Sequence, residues 1–215
     1  MVNTKLLEAL KNRRMDDSPW EHFTFEGALT DEQIDEIRNA SIPRDGVLHD
    51  GTRSGYKEGV EKQNHKLREY ITKDNYHRYP ELTKFINEMR GKEVREAIAQ
   101  MVKNENNFEG SFVRLEVLND VEGFWLKPHC DIPEKLISSS IYVNKTAENI
   151  NLGTDLYNEN LEFVKTVPFW NNLGYIFAGP NKWHGMDEGK NIKVERRGIQ
   201  LNYVTFQTDW PVHED

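Results

Sequence analysis

Two histidines, an aspartate and an arginine are the residues of this chain best suited to do chemistry together. His129 and Asp131 stand two apart, His184 follows 53 residues after Asp131, and Arg196 lies twelve residues beyond that. Side chains alternate along a strand, so His129 and Asp131 on one strand share a face. A second imidazole delivered by a distant strand then gives two nitrogens and one carboxylate oxygen on one side of a metal ion. That donor set leaves positions open and suits iron that must bind further ligands.

Spacing alone is weak evidence. With 7 histidines and 36 acidic residues in 215, chance supplies about one His-x-Asp/Glu match. The chain holds a second copy, His213-Glu214-Asp215, which reads as a solvated tail because termini fray. Three surroundings lift the first copy above it. Gly123 to Pro128 is a strand-like run leading into His129, and proline suits a strand end. Trp183-His184-Gly185 follows the apolar run Tyr175-Ile176-Phe177 and a turn. Arg196 opens the last long strand-like segment.

The elements that must position these residues divide the chain in two. Up to about residue 105 the pattern is mainly helical. Leu6, Leu7, Leu10 and Met15 suggest a short amphipathic helix. Thr30-Asp31-Glu32-Gln33 has the form of a capping box ahead of Ile34 and Ile37. Leu82, Phe85, Ile86 and Met89, then Val94, Ala97, Ile98 and Met101, recur at helical spacing, with Gly91 as a break between two helices. Residues 41–60 read as an irregular loop. Beyond Gly110 short β-branched or aromatic runs alternate with Asn, Asp, Gly and Pro clusters, as in a sandwich or barrel. These runs are 111–118, 124–131, 138–143, 164–169, 175–177 and 199–206. The expectation is one domain, 1–215, of α+β class. In it a jelly-roll core over about 106–215 carries N-terminal helices packed on its major sheet.

Composition narrows the function. Net charge is −8, which disfavours a nucleic-acid partner, since such a protein needs a basic surface. A single cysteine, Cys130, excludes an internal disulfide and suits a reducing compartment. In a strand it should point away from the metal. No run approaches the roughly 20 apolar residues of a membrane span, and the start is too polar for a signal-peptide core. The reading is cytoplasmic, without a membrane partner.

The ordered set Gly-Phe-Trp-Leu-Lys-Pro-His-Cys-Asp, Ser-Ile-Tyr-Val-Asn, Gly-Thr-Asp-Leu-Tyr, Trp-His-Gly and Arg-Arg-Gly-Ile-Gln-Leu-Asn-Tyr-Val resembles the 2-oxoglutarate/Fe(II)-dependent oxygenases. The likeness is greatest to their prolyl-hydroxylase-like branch, and it covers about residues 111–206. It implies a double-stranded β-helix in which His129, Asp131 and His184 hold Fe(II), with 2-oxoglutarate and O2 as cosubstrates. Succinate and CO2 would be released as a small molecule or a peptidyl side chain is hydroxylated. Tyr142 matches a tyrosine that donates to 2-oxoglutarate in that branch.

The family's basic anchor for 2-oxoglutarate falls on either Arg196 or Arg197, and strand parity separates them. Arg196 shares its face with Gly198, Gln200 and Asn202; Arg197 shares its face with Ile199, Leu201 and Tyr203. The polar face suits a cosubstrate pocket, so Arg196 is the expected anchor. A guanidinium holds a carboxylate through two charge-assisted hydrogen bonds. By the same parity Trp125 and Lys127 would line the pocket mouth with His129, and Arg114 is a further substrate candidate. Two readings compete with this one. One is a cupin-like metalloenzyme that does not use 2-oxoglutarate. The other is a metal-free jelly-roll module binding carbohydrate through Tyr56, Tyr76 and Tyr79. The polar stretches 45–60 and 68–79 read as solvated surface, with a lid or substrate contacts as the alternative.

Overall fold

Hydrophobic alternation in the C-terminal half builds two antiparallel sheets, and helical periodicity in the N-terminal half builds their support. The computed structural model describes residues 4–42, 66–144, 149–190 and 192–213. The helices are α1 (Lys5–Lys11), α2 (Asp31–Asn39), α3 (Pro80–Arg90) and α4 (Lys92–Val102). The capping box is present: Gln33 N–H donates to Thr30 Oγ1 at 3.2 Å, and Thr30 N–H donates to Gln33 Oε1 at 2.9 Å. Gly91 separates α3 from α4, as its position in the apolar pattern indicates.

The strands are β1 (Arg14–Asp16), β2 (His22–Glu26), β3 (Lys66–Tyr70), β4 (Phe112–Asp120), β5 (Leu126–His129) and β6 (Ser138–Tyr142). They continue with β7 (Thr154–Tyr157), β8 (Phe163–Val167), β9 (Leu173–Phe177), β10 (His184–Met186) and β11 (Arg196–Val204). One sheet has the order β1-β2-β9-β6-β11-β4-β3 and the other the order β5-β10-β7-β8. From β4 onward the chain passes repeatedly between the sheets, so eight strands close into a jelly roll. Its major sheet is extended by β1, β2 and β3.

Each face of the major sheet serves a different core. Val113, Leu115 and Val117 of β4, with Ile199, Leu201 and Tyr203 of β11, pack against Leu82, Phe85, Met89 and Ile98 of the helices. The opposite face turns Tyr142, Tyr175 and Phe177 toward Leu156, Met186 and Val167 of the smaller sheet. Period two on the strands thus sends alternate residues to the helices and to the interior of the roll.

The N-terminal half departs from the helical expectation in containing β1, β2 and β3. Met15, expected on the apolar stripe of the first helix, lies on β1 and is 62% exposed. These strands are short and their edge positions polar, so they lack the alternation that marks the central ones. Tyr79 is buried, with its hydroxyl donating to Glu69 Oε2 at 2.5 Å, and is no surface aromatic for a sugar. Tyr76 is exposed, whereas Tyr56 and the stretch 45–60 lie outside the described residues. Among the described residues no helix is long and apolar enough to cross a membrane.

Candidate metal centre and cosubstrate pocket

His129 closes β5 and His184 opens β10, and the two residues are direct cross-strand partners. Their rings lie 4.4 Å apart between centroids. Asp131 lies two residues beyond the end of β5, with Oδ2 3.7 Å from His184 Nε2. One donor atom from each of the three falls within 4.8 Å of the others. The sequence spacing therefore becomes a cluster because antiparallel pairing of β5 with β10 cancels the 53-residue separation.

Backbone carbonyls set the tautomer of both imidazoles. His129 Nδ1 lies 2.9 Å from Lys127 O, and His184 Nδ1 lies 2.8 Å from Lys182 O. A carbonyl only accepts, so Nδ1 carries the proton and Nε2 keeps its lone pair for a metal. Burial lowers the pKa of His129 to about 4, with His184 nearby reinforcing the effect, and burial lowers that of His184 as well. Asp131 accepts from Lys135 Nζ at 2.6 Å and from Ser138 Oγ at 2.5 Å. Burial opposes its charge, but Lys135, His184 and Ser138 together hold its carboxyl well below the usual range. Cys130, between the ligands, is no part of the cavity wall.

The three residues and Arg196 line one cavity of about 320 Å³. Arg196 is 4% exposed, and its guanidinium lies 5.6 Å from the ring centres of Phe124 and Phe169 and 5.7 Å from that of Tyr142. It pairs with Asp120, which is itself 2.6 Å from Arg68 Nη2. Its Nε has no acceptor although buried. Tyr142 and Thr154 hydroxyls lie 2.5 Å apart, and Thr154 and Tyr175 hydroxyls 3.0 Å apart. Burial pushes the Tyr142 hydroxyl well up, so it stays a protonated donor.

Arg196 and Arg197 separate as parity requires. Arg197 turns away from the cavity and donates from Nη1 to Ala40 O at 2.8 Å and Ile37 O at 3.3 Å, closing the C-terminus of α2. Arg114 lines the cavity. Trp125 and Lys127 do not; Phe124 and Leu126 line it instead. The reason is a bulge: His184 pairs with His129 and Met186 with Leu126, so three steps on β5 match two on β10. That extra residue inverts the parity between His129 and the start of the strand. Lys66, Arg68, Glu116 and Asp120 also line the cavity and were not singled out from sequence. The signal for the last two was available, because Arg114, Glu116 and Asp120 alternate with apolar Val113, Leu115 and Val117.

The sequence matches no family model and no curated protein. The structure does have likenesses. A prolyl-4-hydroxylase from Pseudomonas putida superposes with a TM-score of 0.61 over 93% of this chain and 98% of its own, at 13% identity. A Phytophthora capsici prolyl 4-hydroxylase gives 0.59 over 96% and 65% at 12% identity. The fold is that of the prolyl hydroxylases. A third structure with this prolyl-hydroxylase fold, from Trichoplax adhaerens in complex with a hypoxia-inducible-factor peptide, gives 0.52 over 94% and 88% at 13% identity. The prolyl-hydroxylase fold accounts for the double-stranded β-helix, and the likeness spans more than nine-tenths of the chain.

Proposed function

We propose that this chain is an Fe(II)- and 2-oxoglutarate-dependent dioxygenase that hydroxylates a small molecule or a peptidyl side chain. The observation that carries the reading is the shared cavity: a two-imidazole, one-carboxylate cluster and a buried arginine line the same space. The residues fit the groups. Both Nε2 atoms are free of protons, Asp131 is ionised, and the buried Nε of Arg196 lacks an acceptor, as a site for a carboxylate would leave it.

His129, Asp131 and His184 would hold Fe(II), and Arg196 would hold the distal carboxylate of 2-oxoglutarate with Tyr142 donating beside it. When bound, the iron supplies the oxidising power by which O2 places one oxygen atom in succinate, with loss of CO2, and the other in a C–H bond of the substrate. The protein's own part is orientation and exclusion of water. The Nδ1 hydrogen bonds aim the imidazoles, Lys135 and Ser138 fix the carboxylate of Asp131, and Phe124, Leu126 and Met186 supply apolar wall.

The test is turnover of 2-oxoglutarate to succinate by the Fe(II)-loaded chain, together with thermal stability. Fe(II) and 2-oxoglutarate should raise stability jointly, and His129→Ala and Asp131→Ala should each abolish succinate formation. Undiminished succinate from both variants would sink the assignment.

A further inference from the structure

The cavity that holds the candidate metal cluster is more cationic than the metal and cosubstrate require. Lys66 and Arg68 of β3, Arg114 of β4, Lys135 and Arg196 all line it. They face three carboxylates, Glu116, Asp120 and Asp131. Among the described residues, five positive groups stand against three negative, a surplus of two. A divalent metal and dianionic 2-oxoglutarate cancel each other and leave that surplus standing. It occurs in a chain whose overall charge is −8, so it is local to this cavity.

The surplus centres on Glu116. This carboxylate is buried, and burial opposes its ionisation; Arg114, Arg68, Lys66 and Lys135 around it nevertheless hold its pKa below the ordinary value. Arg114 is set in place before any ligand arrives. Its Nη2 donates to Tyr70 Oη at 2.5 Å and lies 3.4 Å from Glu116 Oε1, and its guanidinium lies 4.5 Å from the centre of the Tyr70 ring. Arg68 and Arg114 each keep a buried Nε without an acceptor. Among the described residues, this cavity gathers three such donors, Arg196 included. Buried donors call for acceptors, and buried cations call for charge.

We propose that the wall built by β3 and β4 is a recognition subsite for an oxyanion, a carboxylate or a phosphate, carried by the prime substrate. The proposal rests on the 2-oxoglutarate reading of the same cavity, which assigns Arg196 to the cosubstrate and leaves Arg68 and Arg114 for a second anion. A planar guanidinium braced by an aromatic ring presents two parallel donors to such a group. Glu116, beside Arg114, offsets part of the wall's positive charge.

The experiment loads the full chain with Mn(II), a redox-silent paramagnetic substitute for Fe(II), and with saturating 2-oxoglutarate. Inorganic phosphate and acetate are then titrated in separate arms. Relaxation of the phosphorus nucleus or of the acetate methyl protons reports approach of each anion to the metal. Relaxation of the methylene protons of 2-oxoglutarate reports independently on the cosubstrate. The expected result is relaxation of at least one anion by the loaded wild type. Arg114→Gln should weaken its binding about tenfold, the equivalent of roughly 1.4 kcal/mol, Arg114→Lys should restore most of it, and Glu116→Gln should strengthen it. The responding arm distinguishes phosphate from carboxylate. Relaxation of 2-oxoglutarate without relaxation of either anion overturns the subsite alone, as does equal anion binding by wild type, Arg114→Gln and Glu116→Gln. Absence of 2-oxoglutarate relaxation overturns the cosubstrate reading, and the subsite with it. If Arg114→Gln does not fold, the direction of the Glu116→Gln effect decides.

Discussion

Asp120 and Arg196 are cross-strand partners on β4 and β11, and their side chains form an ion pair that is almost wholly buried. The second oxygen of Asp120 faces Arg68 Nη2 at 2.6 Å. One carboxylate therefore stands between two guanidiniums in the cavity wall. It fixes the rotamer of Arg196 while leaving Nε of that residue without an acceptor. Asp120 thus holds Arg196 from one side and leaves part of its hydrogen-bonding capacity unused.

Asp120→Asn keeps the shape and removes the charge between the two guanidiniums. Breaking a buried pair on one side leaves uncompensated charge and costs about 3 kcal/mol or more. Chemical denaturation of wild type and variant measures this directly. A loss well under about 1 kcal/mol would mean that the two arginines do not depend on Asp120.

Arg196→Gln and Arg197→Gln should have opposite consequences. The first removes the donor fork facing the cavity, and 2-oxoglutarate should bind about a hundredfold more weakly, roughly 2.7 kcal/mol. The second removes the donors to Ala40 O and Ile37 O. It should lower stability by about 1–2 kcal/mol with little change in 2-oxoglutarate affinity. Titration of the metal-loaded proteins with 2-oxoglutarate, beside their denaturation curves, separates the effects. A reversed pattern would assign the anchor to Arg197.

How much could be read from sequence depended on how regular each strand is. Parity worked on β11 and β6, which pair along their length without a break, so Arg196, Arg197 and Tyr142 point where alternation sends them. It failed on β5, where the bulge against β10 exchanges Trp125 and Lys127 for Phe124 and Leu126 in the cavity wall. A bulge has no signature in hydropathy. Strand β10 is three residues long, too short for any period to show. Lys66 carries no signal of its own, and Arg68 belongs to the stretch 68–79, expected as solvated surface with substrate contacts as the alternative; its side chain is buried and lines the cavity. β3 is an edge strand whose role is set by pairing with β4 some fifty residues later, and nothing local announces that partnership. The capping box, the Gly91 break and the grouping of His129, Asp131 and His184 were legible because each is fixed by neighbours in sequence or by chemistry that few residues supply.

Gly185 and Gly198 should not tolerate a methyl group. A Cβ on Gly185 would come within 2.6 Å of Leu126 O, and one on Gly198 within 2.4 Å of Ile141 O. Both obstacles are backbone, so a strand must move, at a cost of about 1–3 kcal/mol. In Gly185→Ala the displaced strand is β5, which carries His129. Metal affinity should therefore fall about tenfold beyond the loss of stability, by analogy with disrupted ligand support. Gly198→Ala displaces β6 and should act on 2-oxoglutarate through Tyr142, with a smaller effect on the metal. Metal and cosubstrate titrations on the two folded variants check the assignment; identical profiles would contradict it.

Lys66 gives the cationic wall a pH dependence. Burial lowers its pKa to about 8, with Arg68 and Lys135 acting in the same direction and Glu116 and Asp120 opposing them. Below that value the ammonium is charged and favours an oxyanion; as pH rises through it, the charge is lost and anion binding should weaken. The sign for stability is opposite. The folded pKa lies below the unfolded value of 10.5, so between the two the unfolded chain binds the extra proton. The contribution of this group to stability therefore increases with pH across that window. Acetate, which does not itself titrate there, is the probe for binding from about pH 7 to about pH 10. Wild type should lose affinity with a midpoint near 8, and Lys66→Met should be weaker at neutral pH and nearly flat above it. A flat wild-type profile, or a step that survives in Lys66→Met, would remove Lys66 from the anion-binding wall.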